Sequence, residues 1–453
     1  MKQTLLLCLG ITFSLFLKSQ ESLNISLLNQ WSDSTLPATS YYNSPYNEIW
    51  GYATNDAEYA IIGSTMGTHF IDVTDPSNIS EVAFVAGAAA GSSIVHRDFH
   101  DHNGYLYAVC DEGASTLQIM DMSYLPDSVH VVYDDNELIK RSHNIFIDEA
   151  TGRLFAVGVT PLTGSFIGVR ILSLEDPEDP IHLGDILIGE GVHDIFVRND
   201  TAYINKGGSG LVIYDVSNTS NIQLLGSLLD YEGQGYNHAG YLSDDGNTYV
   251  LADETHGSPV KMLDVSDLSD IEIISTVTSG VASNSIPHNP LIKGDLMYSS
   301  YYYDGVYVWD ISDPLNPELV GYYDTSEVPN GNGYQGCWGV YPFLPSGNIL
   351  ASDMQEGLFV LEIDQVTSVA NVSAINIDFN IYPNPTVDMF YVSFNNELQE
   401  DYQINIYAMS GKLIYSQNTS LSTTQISTQD LSKGIYFIEL KGKSITTKKL
   451  IVK

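Results

Sequence analysis

Basic residues are scarce in this chain: 18 Lys and Arg stand against 56 Asp and Glu, for a formal net charge of -38 over 453 residues. A surface so short of cations does not suit a nucleic-acid backbone or an anionic membrane, and its self-repulsion keeps a large secreted protein apart from its neighbours. Acidity alone is a solubility property, the mark of a solvated face suited to a salty medium, with Ca²⁺ capture as the lesser alternative. Cysteine is scarcer still, limited to Cys8, Cys110 and Cys337. Cys8 falls within the N-terminal apolar run, and the other two lie in segments not expected to be neighbours, so two buried thiols are expected rather than a bridge. No apolar run after the first 20 residues approaches the length of a membrane span. Familiar catalytic signatures are missing: there is no GxSxG elbow, GxxxxGK[ST] loop, HExxH helix or CxxC pair, and no dinucleotide fingerprint in a strand-to-helix setting.

What the chain does have is aromatic content, 30 tyrosines among it, which argues for a packed core. It also has a repeat. GVYVWDISDPLNPELVGYY, from Gly305 to Tyr323, recurs in altered form at His69, Leu117, Gly168, Leu211 and Val260, and truncated at Gly357. The matching positions Asp72, Asp121, Ser173, Asp215, Asp264, Asp310 and Glu362 lie 42 to 52 residues apart, the period of propeller blades. Each full copy reads as four short strands, with period-two alternation clearest in Leu211 to Val216 and turn residues such as Asn199-Asp200 between strands. The recurring Asp-x-[Ser/Thr]-Asp-Pro, at Asp72 and Asp310, reads as turn scaffold whose side chains take backbone amides.

The pattern predicts an all-β fold, a seven-bladed β-propeller over residues 21–365. Its blades are expected at Asn47 to Ala86, His96 to Asp135, His143 to Ile188, His193 to Leu229, His238 to Val277, His288 to Asp324, and Trp338 to Asp364. Asn24 to Asp33 resembles the end of a repeat and is expected to supply the missing outer strand of the last blade, so that the N-terminal strand closes the ring and removes its edges. Residues 1–20, MKQTLLLCLGITFSLFLKSQ, read as a secretory signal peptide. Residues 366–376 read as a linker, and 377–453 as a small β-sandwich with Gly411 and Gly434 at turns. Charge follows the same division, since nine basic and 49 acidic residues fall on the propeller region while the tail is near neutral.

The motifs LVIYD at Leu211 to Asp215 and VYVWD at Val306 to Asp310 resemble those of the LVIVD-repeat, choice-of-anchor B family of secreted Bacteroidota proteins, over roughly Asn24 to Asp364. That resemblance implies a propeller and no settled activity. The tail resembles the C-terminal sorting domain of the type IX secretion system, through Tyr382-Pro383-Asn384-Pro385, Met409 to Leu413, Leu431 to Phe437 and the basic end Lys448 to Lys453. It implies the type IX secretion machinery as a partner, passage across the outer membrane, and a secreted or outer cell-surface location.

Candidate chemistry sits at the start of each innermost strand. His96, His143, His193, His238 and His288 take one equivalent position, with Glu48 expected there in the first blade and Trp338 in the last, so closure would gather five imidazoles, a carboxylate and an indole at one channel rim. An aromatic or aliphatic residue follows each within three or four positions. Neutral imidazoles suit a divalent transition metal, with His193, His238 and His288 as a trio from adjacent blades; the histidines could also work as acid and base, with Glu48 as partner and the negative field raising their pKa. The structural alternative is that each histidine caps the neighbouring blade's backbone or bonds to the following Asn or Asp of the next repeat. A second set at the turn after the second strand comprises Asp111, Glu112, Asp253 and Glu254, with His256 and the cluster Tyr301, Tyr302 and Tyr303 as unrepeated candidates for stacking on a glycan or peptide. The sequence thus supports a binding protein presenting an acidic propeller rim to a glycan, peptide or protein, with a metal-assisted extracellular hydrolase or lyase as the alternative.

Overall fold

A computed structural model describes residues 21–189, 191–364, 379–394, 402–408, 412–429, 431–441 and 445–453. The expected signal peptide and linker lie outside these residues. The chain divides into two compact units, Met1–Val366 and Thr367–Lys453.

Among the described residues the first unit forms seven antiparallel sheets, in which strands consecutive in sequence lie side by side from the channel outward, apart from the two strands that the N-terminal segment adds. The innermost strands are Tyr46–Ala53, Arg97–His102, Asn144–Asp148, Asp194–Arg198, Asn237–Leu242, Pro290–Lys293 and Cys337–Tyr341. Each touches the next, and the seventh touches the first, so the ring is closed. Ile25–Trp31 pairs antiparallel with Gly357–Ile363, Ile25 opposite Ile363 and Trp31 opposite Leu358, as the fourth strand of the last sheet. The preceding pair Ser22–Leu23, which the sequence did not single out, adds a fifth strand to the sixth blade opposite Tyr322 and Tyr323. Between the two, Asn24 turns through a left-handed φ of 53° and its amide donates to the Val320 carbonyl at 2.7 Å. The N-terminal segment therefore ties together two blades.

The fourth blade shows why its sequence makes a sandwiched sheet. Along Leu211–Asp215, Leu211 and Ile213 pack with Tyr249, Leu251 and Leu263 of the next blade, while Val212 and the following Val216 pack with Val157, Val169 and Ile171 of the previous one. Alternation here divides one strand between two cores, each fully buried aliphatic contributing about 1.5–3 kcal/mol. Asn199 and Asp200, at φ 51° and 62°, form the two-residue turn before Thr201–Asn205 with both centres left-handed. The repeated acids hold turns as expected: Asp72, Asp121, Asp215, Asp264 and Asp310 each accept the amide of the residue two positions on, at 2.8–2.9 Å. Cys110 and Cys337 are buried free thiols.

In the second unit, Phe379–Tyr382, Met389–Phe394 and Thr423–Ser427 form one sheet, and Tyr402–Ala408, Leu413–Thr419, Gly434–Lys441 and Ile445–Val452 form another. Phe379 and Phe390 from the first share a core with Ile404, Ile438 and Leu450 from the second, the sandwich its alternating strands predict. Asn384 stitches the Tyr-Pro-Asn-Pro turn to the last strand: its amide donates to the Lys449 carbonyl at 2.7 Å, and its oxygen accepts the Ile451 amide at 3.0 Å. Met409 to Gly411 lie outside the described residues.

Candidate functional site: two collars in one channel

The inner strands bring one residue from each blade to the channel at every level. Ring contacts run from His96 to His143 (5.1 Å between centroids), to His193 (4.1 Å), to His238 (4.0 Å), to His288 (4.3 Å), to Trp338 (4.9 Å) and back to His96 (5.4 Å). Five imidazoles and an indole form a closed collar. Glu48 is not in it. Asn47 stands three residues before Trp50, as His143 stands before Phe146, and turns its amide to the Val95 carbonyl at 2.9 Å. Glu48 belongs one residue further along, beneath the collar, in a layer with Asp98 and Asp194, and accepts the Trp338 indole N–H at 3.1 Å. In the second blade an extra residue, Arg97, points away to donate to the Ser64 and Ala89 carbonyls.

The rim carboxylates reach the collar from the turn after each second strand. His96 Nδ1 bonds Glu112 at 2.5 Å, and His143 Nδ1 bonds Asp111 at 2.9 Å. Glu254 accepts the Tyr302 hydroxyl at 2.6 Å and lies 3.8 Å from His238 Nε2. His288 caps backbone, donating from Nδ1 to the Trp338 carbonyl at 2.5 Å, and His193 bonds the His238 backbone, whereas His96 and His143 turn to rim carboxylates, so backbone capping accounts for only part of the collar. Ligand atoms of His193, His238 and Glu254 lie within 4.8 Å of one another, as do those of His96, Asp111 and His143. The convergent third donor is thus Glu254 in place of the expected His288. Nδ1 of both His193 and His238 is buried with no hydrogen-bond partner, a condition native interiors rarely leave unrelieved.

Burial, not the outer negative field, governs these groups. Desolvation, reinforced by the neighbouring imidazoles, holds His193 and His238 well below the usual histidine range and takes His288 down to about 3. The expectation that acidity raises their pKa is therefore reversed, and these three imidazoles are neutral. Desolvation pushes Glu254, Glu48 and Asp194 up to about 7. At Asp111 burial acts upward, but the bond to His143 and the nearby imidazoles outweigh it and hold the carboxyl low.

The remaining candidates separate. Tyr302 joins the mouth, its ring 4.9 Å from His288. Asp253 does not: fully buried, it accepts Lys261 Nζ at 2.6 Å and the Tyr231 hydroxyl at 2.7 Å, an internal ion pair. Tyr301 is likewise core, packed against Tyr307 and Trp309. Tyr303 donates to Gln335 at the rim, and His256 is exposed with its ring 5.8 Å from Tyr334. Tyr42 and Tyr334 line the mouth with the histidines, and Tyr236 stands 5.2 Å from His193; sequence reasoning missed all three because they lie on loops outside the repeat.

A second collar follows further along the same strands, three residues on in most blades and four in the second, where Arg97 is extra. Trp50, His100, Phe146, Phe196, Tyr241, Phe343 and Tyr341 form an unbroken circuit with centroid spacings of 4.5 to 6.0 Å. Leu291 holds the sixth blade's place, and Phe343 fills the gap it leaves. Gly51 makes room for Tyr341, because a Cβ there would stand 2.2 Å from that ring. The collar bounds a cavity of about 320 Å³, with Glu48, Asp98 and Asp194 also lining it. The aromatic or aliphatic residue that follows each histidine within three or four positions was the available signal for it.

The closed ring of radial four-stranded sheets defines a β-propeller. The chain carries LVIVD repeats, matched at residues 190–230 and 292–325, and a secretion system C-terminal sorting domain, matched at 380–453. The sorting domain points to the type IX secretion machinery and directs the chain to secretion and the outer cell surface; no helix among the described residues is long and apolar enough to cross a membrane. Among solved structures, the chain is similar to the periplasmic gluconolactonase PpgL of Pseudomonas aeruginosa (10% identity, TM-score 0.50, covering 90% of this chain and 99% of that one). It is also similar to a Lactobacillus plantarum protein (12% identity, TM-score 0.50, 84% and 99%). PorZ, a type IX secretion component of Porphyromonas gingivalis, aligns at 10% identity and a TM-score of 0.45 over 93% of this chain, which spans 61% of that protein. These likenesses concern the fold. No curated protein matches the sequence.

Proposed function

We propose that this secreted or cell-surface protein is a binding protein whose imidazole collar holds a divalent transition metal at His193, His238 and Glu254. Its acidic, tyrosine-bearing mouth then presents the metal to an extracellular glycan, peptide or protein. The observation that carries the reading is the convergence of those three donors beside two buried imidazole nitrogens without partners. Neutral imidazole with one carboxylate suits zinc, copper, nickel or iron, whereas Ca²⁺ takes six to eight oxygens, which this mouth does not assemble. Three protein donors leave a fourth position for a ligand atom. Tyr42, Tyr302 and Tyr334 around that position offer stacking faces.

A second reading, a metal-assisted hydrolase or lyase acting on an extracellular polymer, is favoured by Glu48. Its carboxyl, pushed up to about 7 by burial, lies beneath the collar in the range useful to a general acid or base. Metal analysis of the mature protein purified without chelator or added metal tests what both readings share. About one equivalent of transition metal per chain is expected; its absence, with no thermal stabilisation on adding Zn²⁺, counts against both. Chelator-sensitive binding to glycan or peptide arrays without chain cleavage separates the first reading from the second.

A further inference from the structure

At the other collar, we propose a second binding site, for a small organic ammonium ion. The site lies apart from the rim histidines and does not depend on metal there. Its walls are largely aromatic rings, and an aromatic ring attracts a cation placed over its face through the negative side of its quadrupole. Trp50, Phe146, Tyr241, Tyr341 and Phe343 are half-buried, so the circuit they help to form keeps part of its surface open to solvent. The enclosed volume of about 320 Å³ matches a small-molecule pocket rather than a macromolecular groove.

Charge decides the class of ligand. The cavity is lined by Asp101 and Glu149 toward the aromatic end and by Glu48, Asp98 and Asp194 deeper in, and neither lysine nor arginine lines it. The imidazole of His100 supplies no cation either, because burial takes it down to about 4. An anion would find no counter-charge in this lining. The deep end adds another acceptor, the buried Asn144 oxygen, which has no hydrogen-bond partner. A bare metal ion would give up its hydration shell to rings that offer it no lone pair, whereas a weakly hydrated alkylated ammonium group uses both the aromatic walls and the surplus of acceptors.

The test titrates the mature full chain, treated with chelator, with choline and with its uncharged carbon isostere 3,3-dimethylbutan-1-ol, following tryptophan fluorescence and heat. Saturable choline binding about tenfold or more tighter than the isostere is expected. Tyr341→Leu, which removes one wall, should weaken choline about fivefold or more while leaving metal content at the other collar unchanged. Equal binding of the two probes would mean an apolar cavity that does not read charge, and it would overturn the proposal, as would absence of saturable choline binding. The wild-type comparison decides the matter even if the variant does not fold.

Discussion

The two collars are made by the same inner strands, three or four residues apart, and their chemistry is opposite. At one level each of five blades offers an imidazole, and rim loops bring Asp111, Glu112 and Glu254 against the ring. At the other the blades offer aromatic faces, and none of those rim loops lines the cavity. Position is therefore a property of the repeat, whereas chemistry belongs to a single side chain per blade and to the loops that happen to reach it. Between the levels Glu48, Asp98 and Asp194 border both spaces.

The largest effect comes from breaking both collars together. Deleting residues 21–31 removes the strand that closes the seventh blade and the tie to the sixth, exposing the Gly357–Ile363 edge and taking away the nearly fully buried Ile25, whose burial is itself worth about 1.5–3 kcal/mol. A fall of more than about 10 °C in Tm is expected; unchanged melting would sink the closure argument. Next, His193→Ala combined with His238→Ala should lower bound metal at least about tenfold and leave choline affinity within about twofold. Parallel loss of both would dissolve the distinction between the collars.

Titration sharpens the comparison further in the metal-free protein. Folding depresses the His288 pKa to about 3, so its contribution to stability is full above the unfolded value near 6.5 and is lost as pH falls toward 3. Folding raises Asp194 to about 7 from 3.8, so its contribution is full below about pH 4 and is lost as pH rises through 7. Asp194→Asn, which can still accept the Ile195 amide, should flatten the alkaline decline by about 1–3 kcal/mol and leave the acid limb alone. Chemical denaturation from pH 4 to 8 reads this directly; an unchanged alkaline limb would contradict the placement of that carboxyl. The smallest effect is expected at exposed His256, where His256→Ala should change stability and metal content little, within about 0.5 kcal/mol.

Much of this architecture could be read from residues alone, because a repeat writes the same physical requirement seven times. Asp310 and its counterparts revealed turns, and the likeness of Asn24 to Asp33 to a repeat's end revealed closure. The histidine level was legible for the same reason. What escaped was whatever the repeat does not encode. Glu48 falls one place past the histidine level expected of it, because Asn47 keeps the three-residue spacing to Trp50 of the aromatic collar. Asp253 and Tyr301 resembled rim residues, yet Lys261 and the Tyr307–Trp309 cluster draw them inward. Tyr42 and Tyr334 arrive on loops with no internal counterpart. The sign of the histidine shifts also escaped, since net charge is visible in sequence and local desolvation is not.

The central claim is that donors from adjacent blades hold a metal at one collar. Anomalous diffraction from crystals of the mature protein, recorded on either side of the absorption edge of the metal found in it, tests this most directly. The account predicts a peak about 2.0–2.2 Å from nitrogens of His193 and His238 and an oxygen of Glu254. Anomalous density elsewhere on the surface, with none at those three side chains, would contradict it.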